Sequence, residues 1–246
     1  MLFSLLSGGD LKNMIASLLL SLPVIILALS LHETAHGYVA WKCGDPTAYN
    51  LGRLTLNPMK HLDPMGFAFM LIFGYGWAKP VPVNVRYFKN PRRGMALTAI
   101  AGPAANLLLG LISAFFYGFF GALSNYVYLN MGNGFLLTVL DFVIILCYLG
   151  AVYNFLFMAF NLIPLPPFDG SRVATLFLPE RIYFGIMRYE RQIMTGILVA
   201  MLLISRFTDF SPFSWIAEEL TELFFTPVYK IFNKIFLPAE IYNLYF

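Results

Sequence analysis

Long apolar runs constrain this chain more than any other feature. Stretches at 14–41, 94–122, 134–162 and 183–205 each reach or approach the about 20 apolar residues that a bilayer-crossing helix requires. Across 246 residues, 59% of positions are hydrophobic and 12% charged, which a soluble domain could not bury. The reading is an all-α polytopic membrane protein with about four spanning helices. The run at 183–205 is the weakest of the four, because Arg188, Glu190 and Arg191 interrupt its first half. A net charge of +3 leaves no nucleic-acid footprint. Cys43 and Cys147 sit at the end of one apolar run and inside another, so packed, reduced thiols are expected rather than a disulfide.

A fifth apolar run, MGFAFMLIFGYGWA at 65–78, is too short and too rich in glycine to cross. It reads as re-entrant or interfacial, leading into KPVPVNV at 79–85, where alternating prolines forbid a helix and favour extended backbone. A small re-entrant β element tucked against the helices fits that pattern, since strands at membrane depth need protein to shield them. After Pro212, apolar residues at Ile216, Leu220, Leu223, Val228, Ile231 and Ile235 alternate with charges. They suggest a C-terminal amphipathic helix in the interface, broken near Pro227. The expected organisation is a membrane-embedded core over 1–206 and an amphipathic segment over 207–241. The last residues, 242–246, resemble part of a purification-tag sequence and are set aside. The N-terminal run is too long for a signal-peptide core and lacks a cleavage pattern after it, so the first helix is expected to be retained.

Lysine and arginine set the orientation. The segment 42–93 carries Lys42, Arg53, Lys60, Lys79, Arg86, Lys89, Arg92 and Arg93, whereas the loop at 123–133 carries none. The positive-inside rule puts 42–93 and 164–191 in the cytoplasm and both termini outside, in a cell membrane.

Inside the first apolar run lies His32-Glu33-Thr34-Ala35-His36. On a helix, residues four apart share a face, so two imidazoles can be directed at one metal ion, with the glutamate as base. Ionisable groups in hydrocarbon are costly unless they are paired, ligated or facing water. A catalytic zinc site wants a third protein ligand and an open position for water. Two residues are candidates for that third ligand. His61 lies in a loop of turn residues, NPMKHLDPMG, which favours a structural role. Asp169 follows the third span in NLIPLPPFDG, where Pro166, Pro167 and Gly170 stop the helix and let the chain bend toward its neighbours. From Trp41 back to His32 is nine residues, roughly 14 Å of helix, so a metal there would lie below the membrane surface and open toward the cytoplasm.

Together HETAHG, GRLTLNPMKHLDPMG at 52–66, GWAKPVPVN at 76–84, AGPAAN at 101–106 and NLIPLPPFDG at 161–170 resemble the site-2 protease family of intramembrane zinc metalloproteases, over about residues 15–175. The resemblance implies one zinc ion per chain held by His32, His36 and Asp169, with Glu33 as general base. It also implies transmembrane protein substrates, cleaved within or near their spanning segments, and it favours a substrate-positioning role for Asn161. The PDZ and CBS domains that many family members carry have no counterpart here, so regulation would come from a membrane partner or from the core itself. Val81 and Val83, in the extended 79–85 stretch, could hold an unwound substrate by backbone pairing. Asn106 and Asn154 read as interhelical hydrogen-bonding residues. The second hydrogen-bond partner of each histidine is not identifiable from the sequence. Two other classes compete: a non-catalytic zinc-binding membrane protein, which would not need Glu33, and a di-iron membrane oxidase, which would need many more histidines than His32, His36 and His61.

Overall fold

The computed structural model describes residues 11–73, 76–207 and 212–236. In chain order the helices are α1 (Leu11–Lys42), α2 (Thr47–Asn50), α3 (Pro64–Phe73), α4 (Pro91–Asn130), α5 (Gly134–Asn161), α6 (Gly170–Val173), α7 (Glu180–Met187), α8 (Glu190–Phe207) and α9 (Pro212–Phe236). Short 3₁₀ turns occupy Pro58–Lys60, Val85–Tyr87 and Ala174–Leu176. The set-aside residues 242–246 lie outside the described residues.

Among the described residues, three helices are long and apolar enough to cross a membrane: α1 from Ile15, α4 and α5. This is a multi-pass membrane protein. At about 1.5 Å per residue the 40 residues of α4 extend about 60 Å, twice the hydrocarbon core, so its ends must emerge into the headgroups. Its start is well marked, with Pro91 in the first turn and the Asn90 side chain accepting from the Arg93 backbone N–H at 3.1 Å. Between α4 and α5 only Met131, Gly132 and Asn133 intervene. Gly132 takes the left-handed φ of +59° that this turn needs, and Asn133 caps α5 by accepting from Leu136 N at 3.1 Å.

The stretch expected as one helix at 183–205 is two, interrupted at Arg188 and Tyr189. The charges of Arg188, Glu190 and Arg191 fall at that interruption, and α8 is not among the three span-like helices. No strand forms among the described residues. What remains of the expected β element is one antiparallel bridge, Leu62 with Ala78, followed by extended chain. Pro80 and Pro82 have no N–H with which to continue a ladder. Residues 64–73, expected to be non-crossing, form the ten-residue α3, about 15 Å long.

The chain divides into two compact units, Met1–Asn106 with Phe157–Leu203, and Leu107–Leu156 with Ile204–Phe246. In the second, α9 runs as one helix through Pro227, not broken there as its sequence suggested. Its buried face also differs from the expected stripe. Phe225, Val228, Tyr229, Phe232 and Asn233 face α4, while Leu223, Ile231 and Ile235 are exposed. Phe224 stacks on Phe155 with ring centroids 4.4 Å apart, and Phe225 meets Tyr117 edge-on at 5.1 Å. Aromatic rings therefore override the aliphatic periodicity. The first unit carries the candidate site.

Candidate metal centre

α1 brings His32 and His36 onto one face, one turn apart, and both are buried. The chain leaving α5 folds back sharply at 162–170. A side chain on Gly170 would stand 2.5 Å from the Ile163 carbonyl oxygen, so only glycine allows this reversal. The fold-back delivers Asp169 to the two imidazoles. Its Oδ2 lies 3.1 Å from His32 Nε2 and 3.0 Å from His36 Nε2, and the two Nε2 atoms are 2.9 Å apart. Three potential ligand atoms, two from α1 and one from the fold-back before α6, thus face one point.

Two observations test whether these residues suit a zinc ion. His36 Nδ1 donates to the Thr98 carbonyl at 2.6 Å, and a carbonyl can only accept. A neutral His36 ring then carries its proton on Nδ1 and turns a lone pair toward His32 and Asp169, and a shared cation is what reconciles lone pairs so close together. The second observation is Gly102 on α4. A Cβ there would collide with His36 Nε2 and stand 2.6 Å from His32 Nε2, so glycine leaves open the space beside the ligand atoms. The donor set of two imidazoles and a carboxylate suits zinc with one position left for water.

α4 therefore backs onto the site through Thr98, Gly102 and Asn106, each four residues from the next on one face. Asn106 Oδ1 lies 3.2 Å from His32 Nδ1. Sequence reasoning treated Asn106 as interhelical and did not single out Thr98 or Gly102. The signal was the four-residue spacing in AGPAAN, which matches the spacing of the histidines. Within the same turn Pro103 cannot donate to the Ala99 carbonyl, although α4 continues through it.

Glu33, next to His32, is also buried, and its Oε2 accepts from the Val81 backbone N–H at 2.8 Å. The extended stretch 79–84 is pinned along its length. Lys79 N donates to the His61 carbonyl at 2.8 Å, Arg53 Nη2 donates to the Lys79 carbonyl at 2.7 Å, and Asn84 N donates to the fully buried Asp45 at 2.6 Å. With Pro80 and Pro82 lacking N–H groups, Val83 holds the one backbone donor of this stretch that these contacts leave unclaimed.

Of the two candidates for the third ligand position, Asp169 faces both imidazoles. His61 does not join them, since it is buried with Nε2 at 2.7 Å from the Thr55 carbonyl. Asn161 donates through Nδ2 to the Phe157 carbonyl of its own helix at 2.9 Å, and Asn154 likewise to Gly150 at 2.6 Å.

Residues 20–205 match the peptidase family M50. The chain is similar to YwhC of Bacillus subtilis (strain 168), whose name proposes a zinc metalloprotease, with 38% identity over 216 residues, covering 87% of this chain and 91% of that protein. It is also similar to Rip2 of Mycolicibacterium smegmatis, again a protein whose name proposes a zinc metalloprotease, at 37% identity over 99 residues, 37% of this chain and 38% of Rip2. Rip2 of Mycobacterium tuberculosis (strain H37Rv) is 33% identical over 93 residues, 35% of each chain. No solved structure matches.

Proposed function

Because the chain belongs to peptidase family M50, zinc metalloproteases of the site-2 type, we propose that it hydrolyses peptide bonds within or near the transmembrane segments of other membrane proteins. The observation that carries this reading is the convergence of His32, His36 and Asp169 within about hydrogen-bond distance of one another, with Glu33 beside them on a helix apolar enough to span.

In this reading one zinc ion per chain is held by His32, His36 and Asp169. When bound, zinc supplies Lewis-acid activation of water and of the scissile carbonyl. Glu33 Oε2 is engaged by the Val81 N–H, so Oε1 is the oxygen that takes the proton from the attacking water and then passes it to the leaving amine nitrogen. A helical substrate must first unwind, because its own hydrogen bonds shield the peptide bond. The backbone at Val81 and Val83 and the side chain of Asn161 are the groups we assign to holding the unwound segment. The Val83 N–H is free to donate to that segment.

The proposal includes a cell-membrane location with the site opening to the cytoplasm, supported by the positive residues of 42–93. It also includes a fourth, weaker span at α8, a core over 1–206 followed by a C-terminal segment over 207–241, and a regulatory membrane partner. A second reading, a zinc-binding membrane protein without activity, leaves the buried Glu33 carboxylate unexplained, since binding alone does not require it.

Substituting Glu33→Gln and co-expressing single-pass membrane proteins tests the reading. Cleavage should vanish while about one zinc per chain remains bound. Cleavage that survives the substitution removes Glu33 as the base, and a wild type that cuts nothing while holding zinc favours the second reading.

A further inference from the structure

His36 has its tautomer dictated by a backbone carbonyl, but His32 faces a side-chain amide, which can present either its oxygen or its nitrogen. The two orientations have opposite consequences. With Asn106 Oδ1 toward the ring, Nδ1 carries the proton and Nε2 turns a lone pair to the point shared with His36 and Asp169. With Nδ2 toward the ring, Nδ1 must accept, the proton moves to Nε2, and His32 is no longer a metal ligand.

Asn106 sits fully buried, with Oδ1 at 3.2 Å from His32 Nδ1, while its Nδ2 has no hydrogen-bond partner. Stranding a buried amide donor is unfavourable, and a residue present only to fill space between helices would not require it. The register is also specific. His36 and His32 on α1 meet Thr98 and Asn106 on α4, with Gly102 midway leaving room for both rings, so the two helices run antiparallel and each imidazole has its own acceptor.

We propose that Asn106 is a positioning residue of the metal centre: its side-chain oxygen accepts the Nδ1 proton of His32 and so holds that ring in the ligating tautomer. It does not touch the substrate or the metal. The inference rests on the proposed zinc site and adds to it the residue that prepares one ligand.

The test compares purified wild type, Asn106→Asp and Asn106→Leu by competition for zinc with a chromophoric chelator. Aspartate keeps an acceptor of the same shape, whereas leucine keeps the size and removes the acceptor. Asn106→Leu should bind zinc about 10- to 100-fold more weakly, and Asn106→Asp should stay within about threefold of wild type. Equal affinity in all three overturns the proposal, as does an aspartate variant weakened as much as the leucine one. A readout independent of whether the leucine variant folds is the imidazole ¹⁵N spectrum of metal-free wild type. His32 protonated on Nδ1 is expected, and His32 protonated on Nε2 overturns the proposal. Wild type that binds no zinc would overturn the metal site itself, a result distinct from a zinc-binding wild type that tolerates Asn106→Leu.

Discussion

The Oε2 of Glu33 accepts a 2.8 Å hydrogen bond from the backbone N–H of Val81, tying the buried carboxylate of α1 to an extended stretch 48 residues away in sequence. One oxygen of the carboxylate is thereby fixed, which leaves the other for the proton transfer proposed for Glu33. Gly37, one turn beyond Glu33, makes the approach possible. A Cβ there would lie 3.3 Å from Val81 and 2.7 Å from Leu54.

Replacing Val81 with proline removes that donor while keeping an extended backbone between Pro80 and Pro82. A hydrogen bond to a charged group contributes about 1.5–3 kcal/mol, so cleavage should fall roughly 10- to 100-fold with zinc content unchanged. Measured zinc and cleavage rates in detergent or liposomes decide it. Undiminished cleavage would show that the Val81 N–H does not orient the base.

Val83→Pro separates substrate pairing from orientation of the base. The Val83 N–H is the donor left over once Lys79, Val81 and Asn84 are engaged, and the Glu33 contact survives its loss. If unwound substrate pairs here, KM should rise several-fold, on the order of one neutral hydrogen bond, with zinc binding as in wild type. An unaltered KM would mean that the stretch serves only to brace α1.

Gly102→Ala places a methyl group against both imidazoles. It would overlap His36 Nε2 and lie 2.6 Å from His32 Cε1, and neither ring can retreat without giving up its hydrogen bond to Thr98 or its contact with Asn106. Zinc affinity should drop by about 100-fold or more, and cleavage with it. Gly196→Ala on α8, where a Cβ meets nothing within 4 Å, is the control and should leave both unchanged. Zinc binding unaffected by Gly102→Ala would mean that the two imidazoles do not pack against α4 at this position.

The parts of this site that follow from local pattern were legible in the sequence. His32, Glu33 and His36 declare themselves by a four-residue spacing on an apolar helix, and Asp169 by the prolines and glycine that turn the chain beside it. Contacts set by helix–helix register were not. Nothing local marks Thr98, whose backbone rather than side chain meets His36, and Asn106 looks like any polar residue within a span. In the fold, the break at Arg188 follows from charge, and no strand forms at 79–85 because its two prolines remove two of its seven backbone donors. The buried face of α9 follows aromatic bulk rather than aliphatic spacing. Phe225 is buried while Ile231 and Ile235 are exposed.

That packing of α9 can be measured through Asn125 and Asn233. Asn125 Nδ2 donates to Asn233 Oδ1 at 2.8 Å and to the Tyr229 hydroxyl at 3.2 Å, while fully buried Asn233 donates on to the Tyr229 carbonyl at 2.8 Å. The pairing of Gly118 with Val228, Gly121 with Tyr229 and Asn125 with Asn233 shows α9 running parallel to α4 over this length. A double-mutant cycle of Asn125→Ala and Asn233→Ala, read by reversible unfolding in mixed micelles, should give a coupling of about 0.6–1.7 kcal/mol, the range for hydrogen bonds between helices in membrane proteins. Each single substitution should also destabilise, Asn233→Ala more strongly, because it removes the acceptor of the shorter Asn125 bond and the fully buried Asn233 amide's own bond as well. Additive effects of the two substitutions would mean that α9 is held by its aromatic face alone, through Phe224, Phe225 and Phe232, with the asparagine pair contributing nothing to its register.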